Sequence, residues 1–327
     1  MHFRQNGAVD LLRRAYLQNS VRAAIQYKRR FQNKRRVQRK EALPLKLVDL
    51  TRLLEPIDIS EFPEQLRPLY RIICPEVEYI GHAKGAKIMG EIFGCSEEHL
   101  PDGEGWAEEN LSISTHLGTH VDAPWHYGSK TSNKPALTVE QIPLSDLFLD
   151  GVVLDLSHLC MSAAGIEIKH LEEALRAIDY QIKPRDAVLI KTGHDQFHLT
   201  DPRRYAYPGM LAASAVWLAE QGALVLGTDA LGFDRPFPAM IEAWKRSGDK
   251  SHIWDGHYAL RNYQCYVVQQ LSNLEALPAS GFKVSFFPLK LAGASAAPAR
   301  VVAFLEDQRA NRPFLACSGS LEPVESQ

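Results

Sequence analysis

No window of eighteen uninterrupted apolar residues occurs in this 327-residue chain, so no membrane span is expected. There is no C-x-x-C pair. The five cysteines (Cys74, Cys95, Cys160, Cys265 and Cys317) are odd in number and scattered, which argues against a disulfide framework or a cysteine-rich zinc module. Reduced, mostly buried thiols in a cytoplasmic protein are the expectation. The chain also lacks G-x-G-x-x-G, a P-loop and G-x-S-x-G, which removes the usual support for nucleotide binding and for a serine hydrolase. No internal repeat or low-complexity block is found.

Acidic residues are nearly missing from the first forty positions. Twelve Lys or Arg stand against Asp10 alone, a charge of +11, so the rest of the chain carries −13 of the overall −2. Val9, Leu12, Tyr16 and Ile25 recur near helical spacing with arginines between them, so residues 1–42 read as a basic helical arm. A solvated or subunit-clasping helix, a targeting peptide and an anionic-surface arm all fit. A secretory signal does not, for want of an apolar core segment. With few aromatics and no recognised binding module, nucleic acid is not the expected partner. The arm is treated as an appendage to one domain over 43–327.

What is present looks like an ordinary globular core, with 45% hydrophobic and 23% charged residues. "LKLVDL" reads as a first buried strand. "GVVLDLSHL", "DAVLIKTG" and "ALVLGTDA" read as further buried strands. Between them, "EIKHLEEALRAI" has helical periodicity, and "MLAASAVWLAEQG" reads as a helix closed at Gly222 by a left-handed cap. A helix is expected around 257–265, and "GFKVSFFPLKLAG" is expected as a late strand with Pro288 at its edge or end. This alternation argues for an α/β fold with an at least partly parallel sheet.

The densest chemistry lies in "HLGTHVDAPWH", residues 116–126. In a strand, His116, Gly118, His120 and Asp122 would share a face. His120 and Asp122 are then close enough to meet one cation. His116 and His120 would be roughly 13 Å apart in a flat strand, too far for a shared metal, so the chain must bend at Gly118. Pro124 ends the strand and His126 returns from the loop after it. His and carboxylate ligands suit a divalent cation that activates water and polarises a carbonyl. Such chemistry also needs a proton carrier, and His126 is the candidate.

The stretch matches H-x-G-T-H-x-D-x-P-x-H at His116, Gly118, Thr119, His120, Asp122, Pro124 and His126. In this it resembles the metal-dependent cyclase/hydrolase family of kynurenine formamidases and isatin hydrolases. "LVDLTRLLEP", "VLIKTG", "YPG", "LVLGTDALGFD" and "PLKLAGASAAPAR" resemble further landmarks of that family, covering about residues 45 to 305. The resemblance implies a swivelling β/β/α-type single domain, usually a homodimer or a larger homo-oligomer such as a tetramer. It implies that His116, His120 and Asp122 bind metal and that His126 is the acid/base. Two-zinc formamidases add a histidine and, twelve residues later, a glutamate; the matching positions here are His257 and Gln269. An amide in place of a carboxylate removes a charge that a second dication would need, so one metal is expected, Mn²⁺ or Zn²⁺, with Gln269 oxygen and His257 as further candidate ligands. His257 could instead touch substrate, or simply be a buried residue with a partner.

Thr119 is expected to support its neighbours. Asp229 and Asp234 lie at a strand end, where either a ligand site or a turn would place them. Trp125, Tyr127 and His194 are candidate substrate contacts. The expected function is hydrolysis of the C–N bond of a small cyclic amide or N-formyl amide by a metal-activated water. A lactone hydrolase or a polyketide-type cyclase is the alternative within the enzyme class. A non-catalytic metal-binding protein with a nucleic-acid arm is the alternative outside it.

Overall fold

The computed structural model describes residues 45–306. The basic helical arm expected over 1–42, the boundary at 43 and Cys317 lie outside the described residues. The other four cysteines are free thiols, two of them buried. None of the described helices is long and apolar enough to cross a membrane.

A nine-stranded mixed sheet organises the described residues. Its strands in chain order are β1 (Leu45–Asp49), β2 (His120–Asp122), β3 (Phe148–Asp155), β4 (Ala187–Lys191), β5 (Val225–Thr228), β6 (Tyr266–Gln269), β7 (Phe282–Ser285), β8 (Ala296–Pro298) and β9 (Val302–Glu306). Across the sheet they run β1-β9-β7-β3-β4-β5-β6-β2-β8. The centre, β3-β4-β5-β6, is parallel. Its sequences are continuous apolar runs because both faces are covered. The flanking pairs β7/β3, β9/β7, β6/β2 and β2/β8 are antiparallel.

Alternation along each strand feeds two cores. Val153, Leu189, Val225, Val268 and Val121 enter one. Val152, Val188, Ile190, Leu226 and Val267 enter the other. The second core is roofed by helices. After α1 (His82–Phe93) and the single turn α2 (Pro124–Tyr127) comes α3 (Ile168–Ala177), which buries Leu171 and Leu175, one turn apart. Helix α4 (Ala212–Glu220) buries Ala215 and Leu218. The chain then turns at Gly222, φ 105°. Helices α5 (Phe237–Ser247) and α6 (Asp255–Ala259) connect β5 to β6.

Some expectations about the elements need correction. "LKLVDL" is the edge strand β1: Leu45 and Leu47 are exposed and Val48 is buried. The helix expected over 257–265 starts at Asp255, stops at Ala259 and tightens into a 3₁₀ turn, Leu260–Asn262, before β6 begins. The region before β2 is not one strand. A strand at Glu108–Ser112 gives way to a turn in which Leu117 N–H donates to Ser114 O and His116 N–H to Ser114 Oγ. Of the late strand expected over "GFKVSFFPLKLAG" only Phe282–Ser285 forms, and Pro288 lies beyond its end, in an isolated bridge with Ala299.

Candidate metal centre

Strand β2 is only three residues long, yet it is held on both sides, with His120 opposite Gln269 of β6 and Pro298 of β8. Val121 points into the first core, so His120 and Asp122 share the opposite face, at the rim of the helix-covered core. Gly118 makes the required bend, with φ 59° in the left-handed region. A Cβ there would also lie 2.3 Å from Leu54 Cδ2, so the position excludes side chains twice over. The bend returns His116 to the cluster. Its Nδ1 lies 2.9 Å from Asp122 Oδ1, and His120 Nε2 lies 3.3 Å from the same oxygen.

The hydrogen-bond partners fix the ring states. His120 Nδ1 donates to the carbonyl of Gly118 at 2.8 Å. That oxygen can only accept, so Nδ1 holds the proton and, in the neutral ring, Nε2 carries the lone pair. It faces a carboxylate oxygen, also an acceptor. His257 Nδ1 donates to Asp234 Oδ2, and its Nε2 lies 3.5 Å from Asp122 Oδ2, so the ring bridges the two carboxylates when Nε2 is protonated and offers Asp122 a second acceptor when it is not. His120 Nε2, Asp122 Oδ1 and His257 Nε2 are all buried without a hydrogen-bond partner. Converging buried acceptors repel one another unless a proton or a cation lies between them. This donor set of imidazole nitrogens and one carboxylate fits a divalent cation. Candidate ligand atoms of His116, His120 and Asp122 lie within 4.8 Å of one another, as do those of Asp122, His126 and His257.

Electrostatics follow from the same arrangement. Burial works against the Asp122 charge, but the imidazoles of His120, His116 and His257 outweigh it and hold the carboxyl well below its usual range. Burial likewise opposes charge on His257, yet Asp234 and Asp122 push its pKa up to about 9. His126 sits on α2, not on a loose loop. Burial pushes its pKa down to about 4, with Asp122 opposing and the other imidazoles assisting.

Gln269 reaches the site by a different atom than expected. Its Oε1 accepts from Phe233 N–H at 3.1 Å, so the amide nitrogen is the group that meets Asp122 Oδ2, at 2.6 Å. The backbone N–H can only donate, which sets this orientation. The expected oxygen ligand is thus an amide donor that braces the carboxylate. Tyr127 also departs from expectation. It is 1% exposed, and its hydroxyl accepts from Val267 N–H and lies within donating distance of Asp122 O and Cys265 O. It ties β2 to β6 and lines no open space. His194 is completely buried beside Cys160, Thr192, Phe197 and Tyr207, and it contacts none of the cluster imidazoles. Trp125 remains 44% exposed next to His126.

Thr119 donates to Gln270 O at 2.6 Å and accepts from Arg52 N–H at 2.8 Å, pinning the bend. Asp229 accepts from Thr192 N–H, Thr192 Oγ1 and Gly193 N–H, so it serves the turn after β4. Asp234 orients His257. Its stretch, "GTDALGFD", marks a strand end in the sequence but does not reveal that partner. Ser295 Oγ, 3.1 Å from His116 Nε2, and Trp254, stacked on His257, carried no spacing signal.

Residues 48–235, more than half of the chain, match the family model Cyclase, described as "Putative cyclase". This chain belongs to the Cyclase family. Among curated relatives of this Cyclase-family enzyme, the kynurenine formamidase of Bordetella pertussis is 27% identical over 195 residues, 59% of this chain and 78% of that one. The isatin hydrolase of Roseibium aggregatum is 25% identical over 226 residues, 64% of this chain and 78% of that one. The fold matches isatin hydrolase A from Labrenzia aggregata with a TM-score of 0.60 at 23% identity, over 80% of this chain and 94% of that one. A structure titled as a potential metal-dependent hydrolase with cyclase activity matches with a TM-score of 0.51 at 23% identity, over 81% of this chain and the whole of the other. In this chain the converging acceptors around Asp122 form a donor set that suits a divalent cation.

Proposed function

We propose that this enzyme is a metal-dependent hydrolase of a small cyclic amide or N-formyl amide. His116, His120 and Asp122 hold one divalent cation, and His126 carries the proton. The observation that supports it most is the convergence of partnerless acceptors on Asp122, with a neutral imidazole beside them. When bound, the cation supplies polarisation of the scissile carbonyl and acidification of water. His126, neutral near pH 7, takes the proton from the attacking water and returns it to the leaving nitrogen. Asp234 keeps the His257 ring turned toward Asp122.

A single cation is favoured because the Gln269 amide N–H₂ occupies Asp122 Oδ2, the oxygen that would otherwise face a second one. Nitrogen and carboxylate donors of this kind accept Mn²⁺ or Zn²⁺. An amide is preferred to a lactone because curated relatives are named kynurenine formamidase and isatin hydrolase. A homodimer or homotetramer is supported by the face of α5, where Phe237, Ile241 and Trp244 stand exposed at helical spacing. A cytoplasmic setting is supported by the free thiols.

The test is a panel of N-formyl amides, cyclic amides and lactones, run with metal-depleted, Mn²⁺-loaded and Zn²⁺-loaded protein and with His126→Ala. Turnover in the variant should fall by about 10²–10⁴-fold with its metal content near wild type. Full turnover in His126→Ala would remove His126 from the mechanism. Undiminished hydrolysis by the metal-depleted protein would end the metal reading.

A further inference from the structure

The ring nitrogens of His126 make no hydrogen bond among the described residues, unlike those of His116, His120 and His257. A histidine that carries protons in catalysis is usually held in one orientation by a carboxylate or a carbonyl on its far nitrogen. None does so here. Its ring is confined by packing alone: His116 at 4.0 Å between centroids, Trp254 at 4.9 Å, His257 at 5.4 Å and Tyr127 at 6.1 Å. Among these, His116 and His257 are themselves candidate ligands, and Tyr127 belongs to the core.

Trp254 stands out on separate grounds. Its backbone lies at φ 55°, ψ 40°, a left-handed conformation that bulky residues rarely adopt. Neighbouring groups hold it there. Its N–H donates to Met240 Sδ at 3.2 Å, and its carbonyl accepts from Tyr258 N–H at 3.1 Å. The indole stacks on His257 at 4.6 Å with 23° between planes, and meets His126 at 89°, the edge-to-face arrangement that aromatic quadrupoles favour. A strained backbone that sets one indole against two site imidazoles points to a role in the site.

We infer that Trp254 is the positioning residue of the proton carrier, an aromatic wall that takes the place of the missing hydrogen-bond partner and keeps the His126 ring turned toward Asp122. This rests on the reading of His126 as the acid/base.

Trp254→Gly tests it cleanly, because glycine accepts the left-handed backbone without strain and only the ring is lost. The variant should keep its melting temperature and metal content, with KM within about twofold and kcat reduced about 10- to 100-fold, the scale of a misplaced catalytic group. Trp254→Phe should recover most of kcat. Trp254→Asn, which also tolerates this backbone, serves if the glycine variant fails to fold. A second readout needs no turnover. In the Zn²⁺-loaded protein, the His126 side-chain resonance, assigned with His126→Gln, should shift and broaden in Trp254→Gly while that of His120 stays. Wild-type kcat in the glycine variant, or an unmoved His126 resonance, overturns the inference. If the wild type hydrolyses nothing on the panel, the hydrolase reading fails alone, and the resonance still decides whether Trp254 holds His126.

Discussion

Three histidines take two different charge states near neutral pH for local reasons. His257 lies between two carboxylates and its pKa is pushed up to about 9, while His126 and His194, with burial dominant, fall to about 4. For His194 burial is the larger cause and Arg204 adds to it. The consequence for stability has a definite sign. Above about pH 6.5 His194 is neutral both folded and unfolded, and its contribution is fully present. As pH falls from 6.5 toward 4 the unfolded chain takes up the proton and the fold resists it, so stability drops, levelling off below 4. The loss from this one group should be about 3 kcal/mol over the whole interval. Urea unfolding of the wild type and of His194→Gln at pH 7 and pH 4.5 measures it. The variant should lose less between the two pH values, and equal losses would contradict the assignment. The sequence did not show these shifts, because they are set by burial in the folded chain and by neighbours such as Asp234 for His257 and Arg204 for His194.

At the level of elements, the bend before β2 converts a run of ligand-type residues into a cluster. Gly118 combines a left-handed φ with Leu54 pressed against the space a Cβ would need. Gly118→Ala should therefore cost about 1–3 kcal/mol of stability and weaken metal binding by opening the gap between His116 and Asp122. Denaturant unfolding and a metal titration would check both, and a wild-type affinity in the variant would show that the bend is not what gathers the ligands. The bend was legible in the sequence because two histidines four apart cannot share a metal across a flat strand. The placing of His126 on α2 was less legible. Pro124 signals a break, but a single helical turn and a loop leave nearly the same trace when only four residues are involved. Helix α6 was overestimated for a related reason: helical periodicity cannot show where the 3₁₀ turn at Leu260 begins.

In the whole molecule, β2 is an early segment inserted between β6 and β8, strands more than 140 residues later, so long-range pairing holds the locally bent ligand segment in place and brings His257 and Gln269 to it. A cation at Asp122 would bind only when those strands are in place, and so would stabilise the fold by mass action, by about 2.7 kcal/mol at one hundred times its dissociation constant. Thermal unfolding should move to lower temperature on chelation and rise with added Mn²⁺ or Zn²⁺ in a concentration-dependent way. A melting temperature indifferent to both would mean that the cluster binds no cation in the folded state.

The sequence by itself determined the alternation of buried strands and amphipathic helices, the bend at Gly118 and the identity of the ligand-type side chains. Each of these is written in residues close together in the chain and follows from side-chain periodicity and backbone freedom. Only the tertiary structure decided that Gln269 offers a donor instead of an oxygen, that Asp234 holds His257, that Tyr127 and His194 are enclosed, and that Trp254 leans on His126. Those outcomes depend on which strands pair and which face each residue then presents, and on hydrogen-bond partners that the sequence keeps far apart.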